Sequence, residues 1–157
     1  MVQPKSTPRL SSINHSIILT QTDTTVGFLS QDDKKLQEIK SREATKKFIK
    51  VFASFKDLSL CGHRIPQSKR SLFRKSKKTT FIVKNNAIRI SPTHLHSQIL
   101  RDTQWNYSTS ANESGKKFVF DFCEDKADII IQDKDGLCEN ASSSLLKINH
   151  TKKVKLR

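Results

Sequence analysis

The chain has 157 residues, of which 34% are apolar and 28% are charged, and its 29 lysines and arginines against 15 aspartates and glutamates give a net charge of +14. This length and apolar content support one hydrophobic core, so we expect a single domain over residues 15–157 behind a flexible tail over residues 1–14. No apolar run approaches the roughly 20 residues of a membrane span, and the N-terminus lacks the apolar stretch of a secretory signal. We therefore expect a cytoplasmic protein with no membrane partner.

The first part of the chain alternates between short apolar runs and polar segments. Residues 16–20 predict a buried strand, and residues 21–27 predict a hydroxyl-rich loop that ends in glycine. Residues 32–41 predict a helix, because either of two neighbouring aspartates at its start can act as the N-cap and Leu36 and Ile39 form a narrow apolar stripe.

The rest of the chain continues this alternation. The predicted strands are residues 48–53, 79–83, 87–90, 127–132, 143–148 and 153–156, and the predicted helices are residues 55–60, 94–102 and 118–123. Lys84-Asn85-Asn86 separates two of these strands and predicts a hairpin, since asparagine tolerates a positive φ. Strands interleaved with helices predict an α/β domain built on a mixed sheet.

The positive charge is concentrated in the middle of the chain. Between Asp57 and Asp102 there are ten lysines and arginines and no acidic residue, whereas seven of the 15 acidic residues lie between Asp121 and Glu139. A segregated positive surface attracts polyphosphate or nucleic acid, and we favour that interpretation over a merely solvated loop at residues 64–78. The cations expected to contact RNA are Arg64, Lys69, Arg70, Arg74, Lys75, Lys77 and Lys78.

Cysteine and histidine spacing predicts no metal site. Cys61, Cys123 and Cys138 are far apart and include no C-x-x-C pair, so neither a disulfide framework nor a zinc knuckle is expected. His94 and His96 form a close pair, but no Cys, Asp or Glu stands beside them.

Three polar stretches carry the residues suited to chemistry. Residues 108–115 read S-T-S-A-N-E-S-G, a loop whose hydroxyls, carboxamide and backbone N–H groups can bind a small polar ligand or a phosphate, although such clusters are often plain turns. Lys40-Ser41-Arg42 places two cations at the end of the predicted helix, where they can converge on one anion or simply complement the helix dipole. The third stretch is the hydroxyl-rich loop at residues 21–27.

In this order the stretches resemble the YrdC/TsaC family, the threonylcarbamoyl-adenylate synthases that begin threonylcarbamoyl modification of tRNA. In that family a buried strand leads into P-T-E/D-T-x-Y/F-G, a helix ends in K-x-R-P, a later strand carries an arginine, and a loop reads S-T-S-A-N-x-S-G. The corresponding segments are residues 21–27, 40–43, 87–90 and 108–115, and residues 141–146 resemble a further serine-rich element. The chain is short for the family and departs from these motifs at Gln21, Val26 and Glu43.

The resemblance implies one α/β domain with a twisted mixed β-sheet flanked by helices. It also implies a nucleotidyltransferase that forms threonylcarbamoyl-AMP and pyrophosphate from L-threonine, bicarbonate and ATP, with Mg²⁺ on the nucleotide. By similarity, the residues expected to be catalytic and to bind ATP are Lys40, Arg42, Ser110 and Asn112. Those expected to bind threonine are Thr22, Arg89, Ser108 and Ser144.

The resemblance implies macromolecular partners as well. The product would be consumed by downstream tRNA threonylcarbamoyl-transferase proteins, so tRNA is an expected partner. The alternative is a non-catalytic protein of the same fold that binds double-stranded RNA or tRNA through its cationic segment.

Overall fold

The computed structural model describes residues 2–4, 13–41, 47–91, 95–113 and 115–157. In these ranges the strands are β1 (Val2–Pro4), β2 (Ile18–Gln21), β3 (Val26–Ser30), β4 (Ile49–Phe52), β5 (Thr79–Val83), β6 (Asn86–Ile90), β7 (Trp105–Ser110), β8 (Ile129–Ile131), β9 (Ser144–Ile148) and β10 (Lys153–Lys155). The helices are α1 (Asp33–Lys40), α2 (Phe55–Leu60), a 3₁₀ turn (Gln67–Lys69), α3 (Arg70–Lys75), α4 (Leu95–Thr103) and α5 (Phe120–Glu124).

The described strands form one mixed sheet in the order β1-β8-β2-β3-β7-β4-β6-β5-β9-β10. The pairs β2–β8, β4–β6 and β5–β9 are parallel, and the other neighbours are antiparallel. Strands distant in sequence therefore lie side by side at the centre, which brings the hydroxyl-rich loop, the arginine strand β6 and the start of β9 to one region.

Local sequence explains where α1 begins and ends. The Asp32 carboxylate accepts hydrogen bonds from the backbone N–H groups of Lys34 and Lys35, and Ser41 ends the helix with a φ of 46°. Leu36 is fully buried against the sheet. These caps fix Lys40 in the last turn, close to the loop after β7.

The hairpin between β5 and β6 turns on two residues with positive φ. Lys84 has a φ of 47° and Asn85 a φ of 61°, the conformation of a two-residue turn that matches the twist of the strands. Phe81 on β5 pairs with Ile88 on β6. The next pair along the ladder places Arg89 beside Thr80, so the register of this hairpin positions the central arginine of the site.

The two faces of the sheet differ in what covers them. On one, the crowded face, side chains of β3, β4 and β5 pack against α1, α2, α3 and α5; its largest buried members are Phe28, Phe52, Phe73, Phe81 and Leu58. On the other, the α4 face, Ile18 and Leu29 pack against Ile99, and Val51 packs against Leu100. Toward β5, β6 and the end of β7, the α4 face also carries polar side chains, among them Thr80, Arg89 and Ser108.

The α/β class, the mixed sheet, the hairpin and the capped helix at 32–41 are confirmed. Three parts of the described structure were not predicted: β3, which follows the hydroxyl loop directly, the helical segment over Gln67–Lys69 and Arg70–Lys75, and the end of β7 over residues 108–110, which was expected to be a loop. Within the segment expected to be a tail, Val2–Pro4 pairs with β8, and residues 5–12 lie outside the described ranges.

No helix in the described part of the chain is long and apolar enough to cross a membrane.

We expect truncation of the buried aromatic pair to destabilise the protein. Phe81 is 2% exposed, and its ring stacks on that of Phe73 with centroids 3.9 Å apart. Phe81→Ala should lower the free energy of unfolding in urea by about 3–5 kcal/mol, the cost of an aromatic cavity. Leu60 is 74% exposed and provides the control. Leu60→Ala should change the free energy of unfolding by no more than about 0.5 kcal/mol. Similar losses for both variants would contradict this description of the core.

Candidate functional site

A polar cavity of about 300 Å³ opens on the α4 face of the sheet. Its lining comes from the loop after β2, from β6, from β7 and from the segment before β9; the residues are Thr22, Thr24, Thr25, Gly27, Lys47, Ile49, Arg89, Ser108, Thr109, Ser110, Ser142, Ser143 and Arg157. The set is dominated by hydroxyls and cations, and in the described ranges it contains no carboxylate. Such a lining suits a small polar or anionic ligand.

Strand register explains why these side chains share one face. Across β4, Ile49 pairs with Ser108 and Val51 pairs with Arg89. Paired residues lie on the same side of a sheet. Leu100 of α4 packs on Val51. The cavity lies beside this contact, where Ile49, Ser108 and Arg89 form part of its wall.

The buried Arg89 side chain donates all five of its N–H groups to protein oxygens. Its Nη1 lies 3.0 Å from an oxygen of Asp23 and 2.9 Å from the hydroxyl of Thr24. Its Nη2 lies 2.9 Å from the hydroxyls of Thr80 and Ser143, and its Nε lies 3.0 Å from the same Thr80 hydroxyl. Both partners of the Arg89–Asp23 ion pair are nearly fully buried, with side chains 5% and 6% exposed. A buried charge is tolerated when it is paired and fully hydrogen-bonded, and both conditions hold here.

One hydroxyl beside Arg89, that of Ser143, is free to donate a hydrogen bond into the cavity. The Thr80 hydroxyl accepts twice from Arg89 and lies 2.9 Å from the Ser143 oxygen, so it donates its own proton to Ser143. Ser143 therefore accepts from both Thr80 and Arg89. Its own proton has no acceptor among these groups, and Ser143 lines the cavity. A carboxylate or phosphate oxygen of a ligand could accept it.

The loop after β2 is closed by the hydroxyl of Thr22. Thr22 Oγ1 donates to the carbonyl oxygen of Thr25 at 2.6 Å and accepts from the backbone N–H groups of Thr24 and Thr25. Gly27 is required next to it, because a Cβ there would lie 3.0 Å from the Thr22 methyl and 3.0 Å from the Thr109 carbonyl oxygen. The turn thus holds Thr24 against Arg89.

The second part of the site is the contact between α1 and the loop after β7. Lys40 Nζ donates to the carbonyl oxygen of Ser110 at 3.0 Å, to Asn112 Oδ1 at 2.9 Å and to the Asn112 carbonyl oxygen. The Ser110 hydroxyl also donates to Asn112 Oδ1, at 2.6 Å. Beneath the loop, the buried Cys123 thiol donates to the Ala111 carbonyl oxygen, and burial raises the pKa of this thiol. The ammonium group therefore lies at the Ser110 edge of the cavity.

The structure brings together most of the residues expected from the sequence. Thr22, Arg89, Ser108 and Ser110 line one cavity, and Lys40 and Asn112 adjoin it through Ser110. Arg42 lies outside the described residues.

Ser144 is placed differently from the expectation that it lines the threonine site. It is exposed at the start of β9 and pairs with Thr79, and it is not part of the cavity lining. The neighbouring Ser143 lines the cavity instead, because successive side chains of an extended chain point to opposite sides.

Several site residues were missed by the sequence reasoning. Asp23 and Thr24 stand inside the quoted motif, yet no role was given to them. Thr80 is a buried hydroxyl next to the apolar run Phe81-Ile82-Val83, and this polar position in a predicted strand is the signal that could have identified it. Lys47 and Arg157 reach the cavity by tertiary folding alone, and nothing local in the sequence marks them.

The cations expected to contact RNA lie on the 3₁₀ turn, on α3 and in the segments on either side. All are exposed except Lys69, which is partly buried. Arg74 lies over the Phe55 ring, 4.5 Å from its centroid. Among the described residues, the ion pairs are Arg89–Asp23 and Lys116–Glu113, so no carboxylate within those ranges neutralises this segment. The described part of the chain also contains no cluster of three or more His, Cys, Asp or Glu suited to a metal ion.

A protein-family model covering the Sua5, YciO and YrdC proteins, and described as telomere recombination, matches residues 14–157. No curated protein sequence matches the chain closely enough to count as a relative.

Several solved structures share the fold. P. abyssi Sua5 complexed with L-threonine aligns with a TM-score of 0.75 and 18% identity, covering 94% of this chain and 52% of that one. E. coli YciO aligns with a TM-score of 0.71 and 16% identity, covering 97% of this chain and 91% of that one. Full-length HypF in its phosphate- and nucleotide-bound form aligns with a TM-score of 0.74 and 13% identity, covering all of this chain but 25% of that one. The chain thus spans about half the length of Sua5, and at these identities the likeness establishes the fold.

We expect the Arg89–Asp23 pair to contribute strongly to stability. Asp23→Asn leaves the buried guanidinium without a counter-charge and should cost about 3–5 kcal/mol in urea unfolding. The double variant Asp23→Leu/Arg89→Met removes both charges and should cost clearly less than the sum of the two single variants. Lys116→Met breaks the exposed pair with Glu113, whose side chains are 67% and 50% exposed, and should cost no more than about 1 kcal/mol. If the double variant loses as much unfolding free energy as the two single variants together, the two charges are not coupled.

Proposed function

The chain belongs to the Sua5/YciO/YrdC family, and from this we propose that it is an L-threonylcarbamoyladenylate synthase acting on L-threonine, bicarbonate and ATP. The observation that carries the proposal is the polar cavity in which residues from three separate motifs meet around Arg89. Support also comes from the relatives: P. abyssi Sua5 has been solved with L-threonine, and HypF with phosphate and nucleotide.

We propose that threonine occupies the cavity between Thr22, Ser108 and Ser143. Arg89 has no free N–H group, so it acts on the threonine carboxylate through its charge and by fixing the hydroxyls of Thr24 and Ser143. The free proton of Ser143 supplies a direct hydrogen bond to that carboxylate. Arg157, whose Nε donates to the Ser143 carbonyl oxygen at 3.1 Å, adds positive charge at the cavity wall.

ATP is proposed to bind beside the Lys40, Ser110 and Asn112 contact. Lys40 supplies a point charge for phosphate oxygens, while the Ser110 and Asn112 side chains supply hydrogen bonds. The K-x-R spacing adds Arg42 to this set by sequence alone. Mg²⁺ is expected to accompany the triphosphate.

The reaction needs positive charge more than it needs a general base. The threonine amine attacks the carbon of bicarbonate, and one oxygen of the bicarbonate leaves as water, which gives a carbamate. A carbamate oxygen then attacks the α-phosphorus of ATP. A new P–O bond forms as the bond to the leaving pyrophosphate breaks. Two anions are brought together in this step, so stabilisation comes mainly from cations and hydrogen-bond donors fixed in advance. A mixed anhydride of this kind hydrolyses readily, so its use for tRNA modification requires downstream transferase proteins.

A second candidate function is RNA binding, for duplex RNA or tRNA. The observation that favours it is the exposed cationic segment described above, which lacks an acidic partner in the described ranges. Binding of this kind depends on phosphate charge, so its affinity falls steeply as salt is added.

We expect pyrophosphate release that depends on both threonine and bicarbonate when the protein is incubated with Mg-ATP. Lys40→Ala should lower the rate about 100-fold, because a preorganised charge at the phosphates is lost. Lys34→Ala, an exposed lysine on the same helix, is the control and should retain the rate. Release that does not require threonine, or equal loss in the two variants, would contradict the synthase assignment.

The two adjacent serines give a test of the threonine site itself. Ser143→Ala removes a hydrogen bond to a charged group, so the KM for threonine should rise about tenfold or more while the KM for ATP stays constant. Ser144→Ala should alter neither, because that side chain is exposed outside the cavity. The reverse pattern would assign the role to Ser144, as the motif alone suggests.

A further inference from the structure

Three cavities adjoin one another along the β5–β6 hairpin. The largest, of about 810 Å³, lies beside the hairpin tip, between the 3₁₀ turn and the end of β9. A cavity of about 190 Å³ shares Arg64, Val83 and Lys84 with it, and a third, of about 430 Å³, shares His63 and Asn86 with the second. Shared walls make them one continuous depression, which we call the hairpin trough.

The charged side chains that line the hairpin trough are almost all positive. Six lysines and arginines contribute to its walls: Arg64, Arg70, Lys84 and Lys147 toward the wide end, and Lys47 and Lys50 at the narrow end. His63 and His150 lie among them. In the described part of the lining, the one carboxylate is Asp33, at the narrow end. A polyanion lying along the trough would meet cations over its whole length.

Apolar and aromatic surface lies between these cations. Ile65, Val83 and Ile148 line the wide end, and Phe48 and Tyr107 line the narrow end. A track that combines cations with apolar and aromatic contacts is the arrangement by which proteins hold single-stranded nucleic acid, with phosphates on the charges and bases against the rings.

The narrow end holds a partly buried cation that no described carboxylate neutralises. Lys50 Nζ lies 3.8 Å from the centroid of the Trp105 ring and 5.7 Å from that of Phe52. Burial lowers the pKa of Lys50, and burial together with the Lys50 charge lowers the pKa of His63. Burial disfavours the charged form of both side chains, and a bound phosphate would favour it.

The narrow end also lies on the crowded face of the sheet, opposite the synthase cavity. Ile49 and Ser108 line that cavity, whereas their neighbours Lys50 and Tyr107 line the trough. Successive side chains of a strand point to opposite faces, so β4 and β7 stand between the two sites. Lys47, just before β4, lines both.

We propose that the hairpin trough binds single-stranded RNA. This inference rests on the RNA-binding candidate above and goes beyond it, because it names the site and the strand form. Only Arg64 and Arg70 of the cationic segment line the trough, and the remaining charges come from the hairpin, β4 and β9. A recessed track of cations and apolar surface fits unstacked bases, which a duplex keeps inside its helix.

The test uses the full chain and an unlabelled 12-nucleotide oligouridylate, with a 12-base-pair RNA duplex as the comparison. Trp105 is the single tryptophan, and Lys50 of the trough lies on its ring, so tryptophan emission reports directly on the narrow end. Emission should change on adding the single strand, and affinity for it should exceed affinity for the duplex. No emission change at saturation, or tighter binding of the duplex, would overturn the proposal.

Two charge-matched double variants separate the trough from the cationic segment in general. Arg64→Gln/Lys147→Gln removes two trough cations and should weaken single-strand binding about tenfold, and the slope of log affinity against log salt should fall by about 1.4, or 0.7 for each lost phosphate contact. Lys75→Gln/Lys77→Gln removes two exposed cations outside the trough and should weaken binding less than about threefold in 0.15 M salt, where distant charges are screened.

The outcomes distinguish this proposal from the broader ones. Equal loss in the two double variants would refute the trough while leaving RNA binding intact, and absence of binding to either RNA form at low salt would refute both. Pyrophosphate release, measured on the same preparations, should be unaffected by either double variant and reports on the synthase separately. Thermal unfolding followed by circular dichroism verifies that both variants are folded.

Discussion

The buried Arg89 side chain is the constraint around which the candidate site is organised. A guanidinium group with almost no contact with water must have a counter-charge and a partner for each N–H, and three segments of the chain supply them through Asp23, Thr24, Thr80 and Ser143. The loop after β2, the hairpin and the segment before β9 are thereby held at one point. The cavity is the space that these segments enclose, so the stability and the chemistry of the site have the same origin.

The sheet separates two kinds of positive charge. On the α4 face, Arg89 is buried beside a small cavity and is neutralised by Asp23. Lys40, on α1, is held by the loop after β7 at the edge of that cavity. On the crowded face and at the hairpin tip, the cations of the hairpin trough are exposed or only partly buried. The net charge of +14 is thus divided between the proposed site for threonine and ATP and the trough proposed to bind RNA.

Local signals in the sequence were sufficient for much of the fold. The Lys84-Asn85 turn, the Asp32 cap and the apolar run at Ile129–Ile131 each have one dominant physical cause, and the structure has the expected element at each. β3 was missed because Val26–Ser30 lacks the alternation of a half-buried strand: it is buried on both faces. The helix at Arg70–Lys75 was missed because its lysines and arginines were interpreted as part of a cationic segment and not as a helix.

The site was harder to predict than the fold. Ser143 and Thr80 could not be assigned, since their roles depend on register across strands distant in sequence. The motif resemblance predicted Ser144 for the threonine site, whereas Ser143 is the serine that lines the cavity.

The account rests on threonine occupying the cavity beside Arg89, and a crystal structure of the full chain grown with L-threonine tests this most directly. We expect the amino acid between Thr22 and Ser143, with its carboxylate accepting from Ser143 Oγ and the Arg89–Asp23 pair unchanged. Threonine bound elsewhere, or a cavity that stays empty at a threonine concentration that saturates pyrophosphate release, would contradict it.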